Sequence, residues 1–136
     1  MRVAGALRSE RGGAATEAIL ALSLLVPLFA VMIALGDLWA DQVALDHVAA
    51  VAVRRAAAAG GDSTQLRAGL AADLDAAGLP SDQVDVRIDP AAPAWQQPIT
   101  VQLSLPRRIQ IPLLGSRDLQ LRSQFSARNE VGEVAA

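Results

Sequence analysis

The sequence predicts an α+β protein with one long N-terminal membrane-spanning helix, a short second helix and a three-stranded antiparallel sheet. Three observations carry this expectation. Ala18 to Gly36 is a run of 19 residues without a charge. Asp37 to Ala59 continues Ala-rich, with neither Pro nor Gly, up to a Gly60-Gly61 stop. Beyond Pro80, three segments alternate apolar and polar residues with a period of two. A chain of 136 residues is enough for one domain.

Composition narrows the class. Hydrophobic residues make up 52% but aromatics only 3%, so the apolar content is aliphatic. A mean hydropathy of +0.31 is high for a small soluble protein and directs attention to a membrane segment. The absence of Cys excludes a disulfide scaffold and a thiolate metal site. The single His, His47, leaves no cluster for a metal or a triad and reads as a surface or helix-packing residue. A formal charge of −2, with Arg as the only basic residue type, argues against a nucleic-acid binder. Low charge with high apolar content argues against disorder.

As a helix, the run from Ala18 to Gly36 spans about 29 Å, close to the ~30 Å hydrocarbon core of a bilayer. It exceeds the ~7–15 apolar residues of a secretory signal. Pro27, mid-run, removes one backbone hydrogen bond and is expected to bend the helix, which membrane helices tolerate. Arg2, Arg8 and Arg11 precede the run; Asp37, Asp41 and Asp46 follow it, with no basic residue before Arg54. The positive-inside rule puts the N-terminus in the cytoplasm and the bulk of the chain outside.

Glu17 stands at the mouth of the apolar run. A carboxylate at a membrane edge without a local cation calls for a partner. If the chain is cut between Gly12 and Gly13, a new α-ammonium arises four residues before Glu17. Between staggered parallel helices, the carboxylate of one then neutralises the amine of the next and sets a register for assembly. Such a cut removes a net charge of +2, three Arg and one Glu, and leaves −4.

From Ala14 to Ala59 the sequence predicts one helix of about 69 Å. Its outer half shows no clean apolar stripe, being small or aliphatic on all sides. Trp39 reads equally as an interfacial anchor or as packing on the external domain. Asp62 or Ser63 caps a second helix. Leu66, Leu70 and Leu74 form its apolar face, and Gly78 and Pro80 end it. Val84, Val86 and Ile88 mark the first strand, Ile99, Val101, Leu103 and Leu105 the second, and Leu119, Leu121, Ser123, Phe125 and Ala127 the third. A Pro-rich linker, 90–98, separates the first two. The sheet is expected to lay its apolar face on the second helix and on the outer half of the first. Segment 107–115 joins the last two strands. Its Arg107-Arg108 pair reads as a solvated strand end rather than an anion site. Ile109, Ile111, Leu113 and Leu114 either pack under the sheet, the favoured expectation, or form an exposed patch.

The layout resembles the TadE-like minor pilins, or pseudopilins, of tight-adherence (Flp-type) type IV pilus systems. The matching stretches are Arg11-Gly12-Gly13-Ala14-Ala15-Thr16-Glu17, Gln42 to Ala50, Arg54-Arg55-Ala56-Ala57 and the Pro112-Leu113-Leu114-Gly115 turn, so the similarity spans nearly the whole chain. Ala18 stands where such proteins usually carry an aromatic, and Pro27 lies further from the Glu than is usual. The resemblance implies a pilin-like fold with four parts: a cytoplasmic basic prepilin leader at 1–12, a transmembrane helix at 13–36, its extracytoplasmic continuation at 37–60 and a small α+β external domain at 61–136. It implies processing at Gly12 and Gly13 and an assembly role for Glu17. It implies a prepilin peptidase, a major Flp-type pilin, other pseudopilins, an inner-membrane assembly platform and the lipid bilayer as partners, without nucleic acid. The protein would sit in the cytoplasmic membrane as a single-pass subunit, or enter an extracellular pilus.

No catalytic residue, cofactor or metal ligand is assigned, and the expectation is a non-enzymatic protein. Asp73 and Asp75, spaced i, i+2 on a helix, point apart. The competing reading is an anchored or secreted extracytoplasmic binding module. Ala34-Leu35-Gly36 before Asp37 places small residues where a signal peptidase requires them.

Overall fold

The computed structural model describes residues 6–112 and 115–131. Helix α1 runs from Ala6 to Ala59. Good helix formers fill it, and Pro27 is its one internal proline. Gly60 and Gly61 end it at φ of +80° and +125°, which favour glycine. Gly61 also lies where an added Cβ would collide with the Ala91 carbonyl oxygen and the Pro93 ring. Its N–H donates to the Ala56 carbonyl at 2.9 Å.

Helix α2 spans Thr64–Ala76. Ser63 is the cap: its Oγ accepts from the Leu66 N–H at 3.1 Å. Asp62 instead accepts from Arg67, at 2.6 Å to Nη2. At the other end Gly78 adopts φ +77°. The Gly78 N–H donates to the Asp75 carbonyl and the Leu79 N–H to that of Leu74. This is the six-to-one and five-to-two pattern of a Schellman stop, with Leu79 and Leu74 both buried beside it.

Three antiparallel strands follow in spatial order β1-β2-β3: β1 Asp85–Asp89, β2 Pro98–Ile111 and β3 Gly115–Arg128. The inward residues of β2, Ile99, Val101, Leu103 and Leu105, are completely buried. The opposite face is polar: Thr100 faces Ser126, whose hydroxyls lie 2.8 Å apart, and Gln102 faces Gln124.

Three findings correct or sharpen the sequence expectations. First, α1 does have a stripe. Leu45, Val48, Ala49, Ala52, Val53, Ala56 and Ala57 are all buried, at i, i+3, i+4, i+7, i+8, i+11 and i+12. Four of the seven are Ala, so hydrophobicity alone does not separate this face from the exposed Ala58 and Ala59. Second, both helices share the core with the sheet, as expected, but meet it by different means. The backbone of α1 lies against β2 and β3, and α2 lies against α1, with Leu66, Leu70 and Leu74 joining the same core. Third, 107–111 is not a connection. It continues β2, which pairs with β3 from Pro98↔Arg128 to Ile111↔Gly115. Since β1 ends opposite Ser104, the outer part of this pair is a two-stranded ribbon.

Replacing Ala49 with Leu inserts three carbons between α1 and its neighbours, where no space exists at 0% exposure. The expected loss is about 1–3 kcal/mol of unfolding free energy. Ala58→Leu, on the exposed face, should change it by less than about 0.5 kcal/mol. Urea denaturation of the detergent-solubilised full chain measures both. Equal midpoints for the two variants would contradict this packing.

Candidate functional site

Two regions of α1 differ in what surrounds them. Along the charge-free run the side chains are open to the outside on every side: Ile19, Leu24, Met32 and Ile33 are each at least 60% exposed. The described part of the helix from Gly13 includes a segment long and apolar enough to cross a membrane. From Asp41 outward the external domain covers one side.

The residues singled out for processing and assembly all lie on α1, away from the domain. Gly12 and Gly13 are within the helix. A Cβ added at Gly13 would meet open space, so packing within this chain does not require glycine there. Glu17 is exposed. On a helix Gly13 and Glu17 are about 6 Å apart along the axis, one turn. The helix passes through Gly36 without a break, and a Cβ added there also meets nothing.

The second region is the junction where α1 leaves the apolar run and meets the β2–β3 ribbon. Asp41 forms an ion pair with Arg107, its Oδ2 lying 2.7 Å from Nη2, and both side chains are largely covered, at 25% and 30% exposure. Next to it, Gln42 Nε2 lies 3.0 Å from both the Asp46 carboxylate and the Arg122 carbonyl, reaching β3. Arg107 Nε is buried and has no hydrogen-bond partner among the described residues. Sequence reasoning treated Asp41 as a flanking charge and Arg107 as solvated; no local spacing signals a pair so distant in the chain. A crevice of about 510 Å³ opens beside the pair, lined by Ala34, Asp37, Leu38, Asp41, Arg107 and Gln110 among others.

Arg108 faces the other way and pairs with Asp118 at 2.7 Å. The Arg108 hydrogen bond, reinforced by its charge, holds the Asp118 carboxyl below its ordinary value. Arg67 is pushed the opposite way, up, by its hydrogen bond and charge attraction to Asp62. Ile109 and Ile111 are half-buried on the face of β2 that continues Leu105 and Arg107, in line with packing; Leu113 and Leu114 lie outside the described residues. Trp39 is 73% exposed, so it does not pack on the domain. His47 is exposed.

At the distal end, the buried Asn129 ties the 90–97 loop to the end of β3. Its Nδ2 lies 3.1 Å from the carbonyls of Pro93, Ala94 and Val131. Among the described residues, no group of three His, Cys, Asp or Glu is placed to hold a metal.

Arg107→Ala removes the tie between ribbon and helix and leaves Asp41 without its partner. Amide exchange at 107–111 should accelerate while that at 100–104, held on both sides by β1 and β3, stays unchanged. The global stability loss should be about 1 kcal/mol, as for a partly exposed ion pair. Unchanged exchange across the ribbon would show that the pair does not hold it.

Compared with known proteins, the chain matches no family model, no curated protein and no solved structure.

Proposed function

We propose that this chain is a minor pilin or pseudopilin, TadE-like, with a structural role in assembling a tight-adherence (Flp-type) pilus or a related secretion apparatus. One observation carries the reading. The external domain covers one side of the outer half of α1 and leaves most of the charge-free run, about 29 Å of helix, apolar and exposed. Such a segment has two stable surroundings, lipid tails or the same segment of neighbouring subunits. A subunit that moves from membrane to filament exchanges one for the other.

The residues at the start of the segment fit that exchange. Cleavage after Gly12 frees an ammonium on Gly13, and Glu17 supplies a carboxylate one turn on. In a membrane the two ends sit near the headgroups. In a bundle of staggered helices, the Glu17 carboxylate of one copy meets the Gly13 ammonium of the next, in surroundings dry enough to strengthen the pair. The subunit then acts with a prepilin peptidase, a major pilin and other pseudopilins on an inner-membrane platform. The N-terminus starts in the cytoplasm and the α+β domain stands outside.

N-terminal sequencing of the protein isolated from cells tests the processing step. A start at Gly13 is expected. A start at Asp37 would instead favour a secreted binding module released by a signal peptidase. Glu17→Ala should leave membrane insertion intact and sharply reduce pilus formation. Full piliation by that variant would remove the assembly role of the carboxylate.

A further inference from the structure

The β2–β3 ribbon points back toward the membrane segment. At the distal end, Glu130 N–H donates to the Ala57 carbonyl, and Pro98 pairs with Arg128. Further along, Arg107 meets Asp41. So β2 runs antiparallel to α1, toward its N-terminal half. A strand advances about 3.3 Å per residue and a helix 1.5 Å. From Arg107 to Ile111 the ribbon therefore travels about 13 Å, while from Asp41 back to Gly36 the helix travels only about 7.5 Å. Ile111 thus reaches about 5 Å past the edge of the charge-free run. The crevice confirms the level: Gln110 of the ribbon and Ala34 of the run line the same opening.

The chemistry of the ribbon changes at that level. Charges stop at Arg108 on β2 and resume at Arg117 on β3; Ile109 to Ser116 carries none. Arg117 stands exposed across from Ile109, and Arg108 pairs with Asp118 in the next cross-strand position. Trp39 lies exposed on α1 at about the same height, three residues beyond Gly36. An uncharged strand end below the exposed Arg117, with an exposed aromatic on α1 at the same height, is how a protein surface meets the boundary between phosphates and acyl chains. Anionic headgroups add attraction for the Arg side chains.

We propose that the outer end of the β2–β3 ribbon rests in the headgroup layer of the bilayer that α1 crosses, with Ile111 and Pro112 at the acyl boundary and Arg117 at the phosphates. This rests on the membrane-spanning reading of α1. It gives the domain a second point of attachment and fixes the tilt of the whole molecule in the bilayer, which a single span leaves free. The Asp41–Arg107 pair then has a purpose, since it sets the height of the ribbon tip relative to the span.

The chain has no Cys, so single Cys probes report one position each. Full-length protein carrying a fluorophore on Ser116→Cys, Gln124→Cys or Leu28→Cys is reconstituted in vesicles of phosphatidylcholine and phosphatidylglycerol. Some of the lipids carry a nitroxide quencher near the headgroup or along the chain. Ser116 is exposed at the ribbon end, and Gln124 is exposed about 26 Å further along β3. The expected result is loss of emission at Ser116 with the headgroup quencher, loss at Leu28 with the chain quencher, and none at Gln124. Quenching at Leu28 but not at Ser116 overturns the ribbon contact and keeps the span. Absence of quenching at both positions overturns the span and the contact with it. Equal quenching at Ser116 and Gln124 means the domain lies flat on the lipid, which also contradicts the proposed seat.

Discussion

Ala49, Ala52, Ala56 and Ala57 let the backbone of α1 settle onto β2 and β3. Without that close approach there would be no core. Four aromatics in the whole chain cannot fill a wide gap between helix and sheet, and the two Trp are exposed. The interior is instead thin: small residues on the helix against Ile99, Val101, Leu103 and Leu105 on the sheet. Leu45 at one end and the leucines of α2 at the side close it. A domain of this size buries a modest share of its surface, so the helix that it clasps is part of its core rather than an attachment.

That arrangement gives one helix two unlike stretches. Outward of Asp41, α1 is amphipathic in the sense that burial defines, with one face on the sheet and the other in water. From Ala18 to Gly36 it is uncharged and largely exposed, and long and apolar enough to cross a membrane. The change is made within about two turns, between Gly36 and Leu45. Asp37, Asp41 and Asp46 all stand in or beside that interval, and Arg107 reaches it from the ribbon. Helix α1 is continuous through this interval, so the apolar run and the domain are joined without a break in the helix.

Much of this was legible in the sequence because it rests on local signals. The charge-free run, the Gly60-Gly61 stop, the Ser63 cap, the leucines of α2 and the alternation in three strands each need only a few neighbouring residues. What was not legible depends on distant ones. Ala occurs on every side of α1, at Ala44, Ala50, Ala58 and Ala59 as well as at the buried positions, so only the sheet itself selects a face. The extension of β2 past Leu105 was hidden by Pro106 and by Arg107-Arg108, which punctuate a strand when read locally. The ladder tolerates Pro106 because β1 has already ended there, leaving β2 with a single neighbour. Arg107 is accommodated by Asp41, far away in the chain. Glu17, Gly12 and Gly13 stand out by their order before the apolar run; Glu17 is exposed, and a Cβ at Gly13 meets open space.

The account depends most on one claim, that residues 18–36 cross a membrane with the domain on the far side. Single Cys residues at Ser9, Leu28 and Gln65, reacted with a membrane-impermeant maleimide in intact spheroplasts of a host without a prepilin peptidase, so that residues 1–12 are retained, measure it directly. The account predicts labelling at Gln65 at once, labelling at Ser9 only after permeabilisation, and none at Leu28 until detergent is added. Labelling of Leu28 in intact spheroplasts, or equal access to Ser9 and Gln65 from outside, would contradict it.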